Sequence, residues 1–550
     1  MIDSSQSLDG AARRDFLRRA GSLALGAFGW RGLRLLGLGA ATTSAASCAR
    51  QRSQQDLMRR LVIGITDEIK TLDPAYQVMA LDGAIMANIQ ENLTWYNTKL
   101  NLRPRLAESW ETPDNGRTWI FHLRKGVKFH DGTAFDAGAV KFHFDRIKNP
   151  QTASTRITRI KFLEATEVVD AHTVRFRMNT PFSMWPEELA SPFGCIVCPS
   201  AVRAAGGKNY ARRPAGTGPF IFVEWLPDRH VLLRRNPSYW QGQIKLEEVM
   251  YRPVREATTR LIMLERGDLD MVDIFWGHTD VARQSGRIIV DTVPMLAIRY
   301  IGLNNQKPPF DDARVRRAAN YAINRDYIVK YAFRGNADPS FGPVPPALPS
   351  FNNQMRTYDY NPGKARDILR QAGYGGGVEV TLWAADSASD RLLAETILEQ
   401  LREAGINVRV MQFDSAVYWD KFDAYITNDG KWYPRAKGVF DMFIGGWVGG
   451  ENAFGYIDPL FRSTSNSNTA FYVNAAVDKM LDEALSTTDE AARAELFRKL
   501  QALIVDDAPW IFTYHSRITM GINRRVKGWI TNPAGYYELE NVLLEADAQS

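Results

Sequence analysis

The stretch that most restricts the fold lies past the middle of the chain. Thr381-Leu382-Trp383 reads as a buried strand, Leu392 to Glu403 as an amphipathic helix stopped by Gly405, and Val408-Arg409-Val410 as a second strand. Two strands separated by a whole helix pair in parallel, because an antiparallel pair is joined by a short turn. The expectation is a doubly wound α/β lobe. Leu61 to Ile65 gives another strand, followed by a turn at Leu72-Asp73-Pro74 and a helix with apolar residues at Ile85, Ile89 and Leu93. The next hundred residues are strand- and turn-rich. Trp119 to Leu123 and the period-two run Val174 to Met178 bracket turns at Lys125-Gly126 and Asp131-Gly132. Helical spacing returns from about residue 255, in Ala257 to Arg266 before Gly267, Ala313 to Tyr331, and Pro362 to Ala372 before Gly373. The order is α/β, then β-rich, then α/β again.

A chain of 550 residues exceeds what one core supports, so two or three lobes are expected. Its net charge of +6 would suit a polyanion binder if it were spread over the body. It is not. Residues 1–60 hold ten Arg against four Asp, with no Lys or Glu, so the remaining chain sums to zero and nucleic acid is not an expected partner. The basic segment has the order of an export leader. Arg13-Arg14-Asp15-Phe16-Leu17-Arg18 matches the twin-arginine pattern closely, and apolar stretches follow at Ala20 to Trp30 and Leu35 to Ala41. Arg31 and Arg34 interrupt the only run that approaches the roughly 18–20 residues of a membrane span. Small residues precede Cys48, a candidate for lipidation, although Ala45 stands where such signals usually carry Leu.

Cys195-Ile196-Val197-Cys198 has redox or metal spacing, but no second cysteine pair or nearby His completes a zinc site. Its β-branched centre reads as a strand carrying two buried thiols, or else a strained bridge. The seven His show no His-Glu-x-x-His spacing, and neither a Gly-x-Ser-x-Gly elbow nor a Gly-x-x-x-x-Gly-Lys loop is present. Binding without catalysis, and without metal or cofactor, is the expectation.

Four stretches carry a family resemblance. They are Pro104 to Trp110 continued by Asn115 to Thr133; Pro214-Ala215-Gly216-Thr217-Gly218-Pro219-Phe220; Leu264 to Asp270; and Leu303 to Ala318. Together they resemble family 5 of bacterial extracellular solute-binding proteins, the oligopeptide, dipeptide and nickel binders. The resemblance implies a periplasmic-binding-protein-like α/β clamp (type II, cluster C), with two lobes enclosing the ligand and an extra β-rich lobe. The implied division is 1–56 leader and linker; 57–94, 215–302 and 516–550 lobe I; 95–214 the β-rich lobe II; and 303–515 lobe III. It also implies the substrate-binding component of an ABC importer, a monomer that hands a small molecule or peptide to permease subunits in the periplasm. Membrane contact would come only through a lipid at Cys48. A sugar, an opine, chelated nickel, or a chaperone or sensor role on the same fold are the alternatives.

In peptide-binding members a Gly-Trp-x-x-Asp segment pairs with the ligand backbone while its Asp holds the ammonium group. Here Gly446-Trp447-Val448 matches, but Gly450 takes the Asp position and Glu451 follows it. Glu451 is either the replacement acid or a solvated loop carboxylate. Val78, Met79 and Ala80 are expected on the opposite wall, and Asn468 matches a position that bonds the ligand backbone. Arg391 is either a carboxylate partner or a surface arginine. Tyr418 and Trp419 either stack on the ligand or pack in the core. Residues 427–437 look like an insertion at the pocket mouth.

Overall fold

The computed structural model describes residues 59–420, 424–426, 432–434 and 439–545. The leader with Cys48, and most of the 427–437 stretch, lie outside the described residues. The uninterrupted apolar run at Leu61 forms the strand Arg60–Ile65, which is covered on both faces, as suits a parallel strand flanked by two others. It pairs in parallel with Glu248–Pro253 on one side and Met271–Asp273 on the other. A second parallel triplet, Ile406–Phe413, Val378–Ala385 and Met442–Trp447, lies toward the opposite end of the same sheet. The helix joining its first two members spans Ala388–Glu403 and starts on Ser387, whose side chain accepts the Asp390 N–H.

Two long antiparallel strands, Ile288–Leu303 and Trp510–Asn523, join the triplets into one eleven-stranded sheet. Their register breaks between Pro294 and Ile298, where a proline and the shift interrupt the ladder. A separate four-stranded antiparallel sheet contains Thr118–Leu123 and Thr173–Met178. Phe121, Phe144, Phe176 and Trp185 fill its core with edge-on ring contacts. The α/β clamp with an added β-rich unit is therefore the architecture.

Gly216-Thr217-Gly218 crosses close to the turn after the first helix. A Cβ on Gly216 would meet the Ile89 carbonyl and sit 2.6 Å from the Gln90 Cα, so only glycine fits. That crossing also explains a difference from the sequence expectation. The helix with Ile85, Ile89 and Leu93 is only Ala80–Met86, because the Asn88 and Ile89 carbonyls instead accept the N–H groups of Phe220 and Gly218. The helix expected from Ala313 to Tyr331 is also broken. It ends at Tyr321, the Asn324 side chain caps a new start at Arg325, and the buried Arg325 guanidinium donates to the carbonyls of Asn320, Ile323, Ser340 and Tyr358. Cys195 to Cys198 is extended but belongs to no strand. Ile196 and Cys198 donate singly to Glu91 and Ala215, and both thiols are free.

Candidate functional site

Met442–Trp447 lies against Ile288–Leu303 with Gly445 opposite Tyr300 and Gly446 opposite Arg299. A Cβ at either glycine would strike the Tyr300 ring or the Arg299 guanidinium, so the paired glycines let two large side chains lie flat across the strand. The chain then leaves the sheet at Trp447, whose indole N–H donates to the Gly455 carbonyl at 2.8 Å. Tyr456 donates to Leu296 at 2.7 Å and to Gly450 at 3.2 Å, fastening the Gly449-Gly450-Glu451 loop to the register break of the long strand. Gly450 has φ +84°, a left-handed conformation that an Asp at that position would adopt only with strain.

The loop delivers Glu451 to an enclosed position, 6% exposed. It is not a solvated carboxylate. Burial pushes its carboxyl up to about 7, against the offsetting influence of its own backbone N–H, the Tyr536 hydroxyl and Arg159. Two cavities meet at Tyr96 and Glu451. One, of about 60 Å³, is lined by Asn92, Trp95, Cys195, Tyr536 and Glu538 among others. The other, of about 440 Å³, extends past Trp110, Glu187 and Arg493. A third, of about 420 Å³, lies near Arg299, Ser389, Trp276 and Tyr514. Beneath the first, Glu91 accepts hydrogen bonds from Thr217, Tyr239, Trp240 and Arg105, and Arg105 also pairs with Glu540, which ties the lining to the C-terminal segment. Cys195 donates to Asn92 at 3.1 Å, and burial holds its thiol at about 12, far from a reactive thiolate.

Contacts between the β-rich unit and the Glu451 side close this region. Phe182 and Phe454 meet edge-on at 5.8 Å, Ser183 donates to Leu485 and Ala484, and Arg493 pairs with Glu187 at 2.7 Å. A sheet interrupted at a register break, with segments meeting around a buried carboxylate, fits a clamp-type binding protein.

Other expected residues fall as follows. Val78 and Met79 are exposed, 63% and 46%, and precede the helix that begins at Ala80. Val448 is also exposed, and Trp447 is half-buried. Asn468 is buried, and its amide serves its own loop through Arg462 and Tyr472. Arg391 is exposed and pairs with Asp386 at 3.2 Å. Tyr418 is fully buried with its hydroxyl on the Ile444 carbonyl; the side chain of Trp419 is not among those described. Tyr96, Tyr536, Glu91 and Arg105 escaped the sequence reading. Only the Tyr536-Tyr537 doublet, in a turn-rich tail, offered any signal.

Residues 101–468 match the family described as bacterial extracellular solute-binding proteins, family 5 Middle. The chain is 33% identical over 489 residues to the glutathione-binding protein GsiB of Pectobacterium atrosepticum, covering 87% of this chain and 93% of that one. It is also 33% identical over 512 residues to GsiB of Escherichia coli K12, covering 91% and 97%. Among solved structures, HbpA2 from Haemophilus parasuis superposes with a TM-score of 0.79 at 25% identity, covering 88% of this chain and all of that one. The periplasmic binding protein DppA from Helicobacter pylori, in complex with the peptide STSA, superposes at 0.74 and 25%, covering 90% and 99%. The chain belongs to family 5 of the bacterial extracellular solute-binding proteins. It is a substrate-binding component of an ABC importer, a binding protein and not an enzyme.

Proposed function

We propose that the cargo is a peptide-like solute whose free ammonium group is held by Glu451. The observation that carries this reading is the enclosed Glu451 carboxylate, which lies one residue beyond the acid of the peptide-binding pattern and meets the Tyr536 hydroxyl in the lining of a cavity. A buried acid kept near neutrality by burial gains a partner when a cation docks beside it. The glutathione named for the GsiB relatives and the peptide bound to the Helicobacter protein support the same class. Val448 and the Val78-Met79 segment would flank the ligand backbone, and lobe closure would present the loaded clamp to the permease.

In this reading the protein is exported by the twin-arginine route, acts in the periplasm as a monomer, and carries a lipid anchor on Cys48. Detergent-phase partitioning that Cys48→Ala abolishes is expected; unchanged partitioning removes the anchor. For the cargo, thermal shift of the exported protein against glutathione, di- and tripeptides, their N-acetylated forms, a sugar, an opine and a nickel chelate is decisive. Free-amino peptides should stabilise it and their acetylated forms should not. Stabilisation by the sugar or the chelate alone would overturn the reading.

A further inference from the structure

The β-rich unit sends a cationic turn toward the same region. Ile157–Ile160 is a 3-10 turn that begins at Arg156, and at three residues per turn Arg156 and Arg159 fall on one side of it. The turn is strapped to the segment before Val78: Ser154 donates to the Ala75 carbonyl at 2.6 Å and accepts the Arg156 N–H, while Tyr76 donates to Thr152. Arg159 lies over the Phe193 ring at 5.6 Å, pairs with Glu188 at 2.8 Å, and acts on both Glu451 and Tyr536. Lys161 points across to Asp458 at 4.0 Å, on the Glu451 side of the closure.

Arg156 is different from its neighbours. It is half-buried, its Nε is shut off from solvent with no acceptor, and no described residue forms an ion pair with its guanidinium. Desolvation, with Arg159 nearby, draws it down to about 10. Asp82, an acid that acts on it electrostatically, is fully buried on the Ala80–Met86 helix, accepts the Lys70 N–H with one oxygen, and leaves the other without a partner. So Asp82 does not satisfy Arg156 directly. A second like-charged arginine beside an unpaired one, in a region closed by lobe contacts, is costly unless an anion arrives there.

We propose that Arg156 and Arg159 form a carboxylate-binding subsite, so that the cargo is an acidic peptide with a carboxylate at this end and its ammonium at Glu451. This rests on the peptide reading above and narrows it. A guanidinium offers five donors in a planar fork and takes a carboxylate bidentately, which a lysine does not reproduce.

The test is isothermal titration of the exported wild-type protein, Arg156→Gln and Arg156→Lys with glutathione and with its diethyl ester. Wild type should bind the acid at least about tenfold more tightly than the ester, the size of one lost charge-assisted contact. Arg156→Gln should weaken the acid by about 10- to 100-fold and leave the ester nearly unchanged, with Arg156→Lys between. Equal affinity of Arg156→Gln and wild type for the acid would overturn the subsite. So would an equal loss for acid and ester, which marks Arg156 as a structural partner of Asp82. If wild type binds neither, the same variants are screened by thermal shift against non-peptide dicarboxylates and neutral sugars. An acidic hit that Arg156→Gln abolishes upholds the subsite while ending the peptide reading; a neutral hit that Arg156→Gln leaves intact ends both.

Discussion

Exchange of Glu451 for Gln removes the charge proposed to meet the ligand's ammonium, and its effect should be read against pH. In the folded protein burial raises this carboxyl from its ordinary 4.5 to about 7. A raised carboxyl is stabilised in its protonated form. Its contribution to stability is therefore complete below about 4.5 and is lost as pH rises through about 7, a difference of about 3 kcal/mol at roughly 1.4 kcal/mol per unit. A docked ammonium reverses the preference. Binding must then release a proton below pH 7, and affinity should rise about tenfold per pH unit from about 5 to 7. Above about 8 the ligand's own α-amino group begins to lose its charge, so the profile should peak between about 7 and 8. Glu451→Gln should lower affinity at the peak by about 10- to 150-fold and flatten the acid limb. Calorimetry in buffers of different ionisation enthalpy reads both quantities. Glu538 is also held at about 7, by burial, and lines the same cavity, so Glu538→Gln is the control that should keep the acid limb. Burial also raises the Glu188 carboxyl beside Glu451, so Glu188→Gln is a second control that should keep the acid limb, while burial holds the Tyr96 and Tyr536 phenols well above their ordinary value. An acid limb that survives in Glu451→Gln refutes the reasoning.

Arg493→Ala should favour the open clamp. Arg493 and Glu187 are each about nine-tenths buried where the lobes meet, and opening rehydrates the stranded carboxylate, so the change should enlarge the ligand-free radius of gyration in small-angle scattering and weaken ligand binding. Unchanged scattering and affinity would remove the pair from the closing mechanism. Gly216→Ala, forced against the Ile89 and Gln90 backbone, should cost about 1–3 kcal/mol in denaturant unfolding; a wild-type midpoint would contradict the close approach. Native protein should leave Cys195 and Cys198 unreactive toward a disulfide reagent, with both thiols appearing on denaturation. Their absence from the denatured count would show a bridge.

The parallel lobe was legible because Val378–Ala385, Ala388–Glu403 and Ile406–Phe413 follow periods of two and 3.6 with a glycine stop. The helix after Met79 was overextended, because the pull of Gly216-Thr217-Gly218 on the Asn88 and Ile89 carbonyls comes from more than a hundred residues away. The break at Asn324 had a local signal, an Asn before Arg-Asp, that the apolar period across Ala313 to Tyr331 outweighed. Glu451 was picked out by its offset from a motif, yet its burial depends on Tyr96 and Tyr536, which pattern reading does not bring together. Arg156 carries no motif at all; its isolation is visible only once Asp82 and Arg159 are in place.

Mass spectrometry of whatever small molecule leaves the natively purified protein on denaturation tests the central claim most directly. A short peptide or peptide conjugate with a free amino group and at least one further carboxylate is the predicted species. A nitrogen-free sugar, or a metal chelate without a peptide bond, would contradict the account.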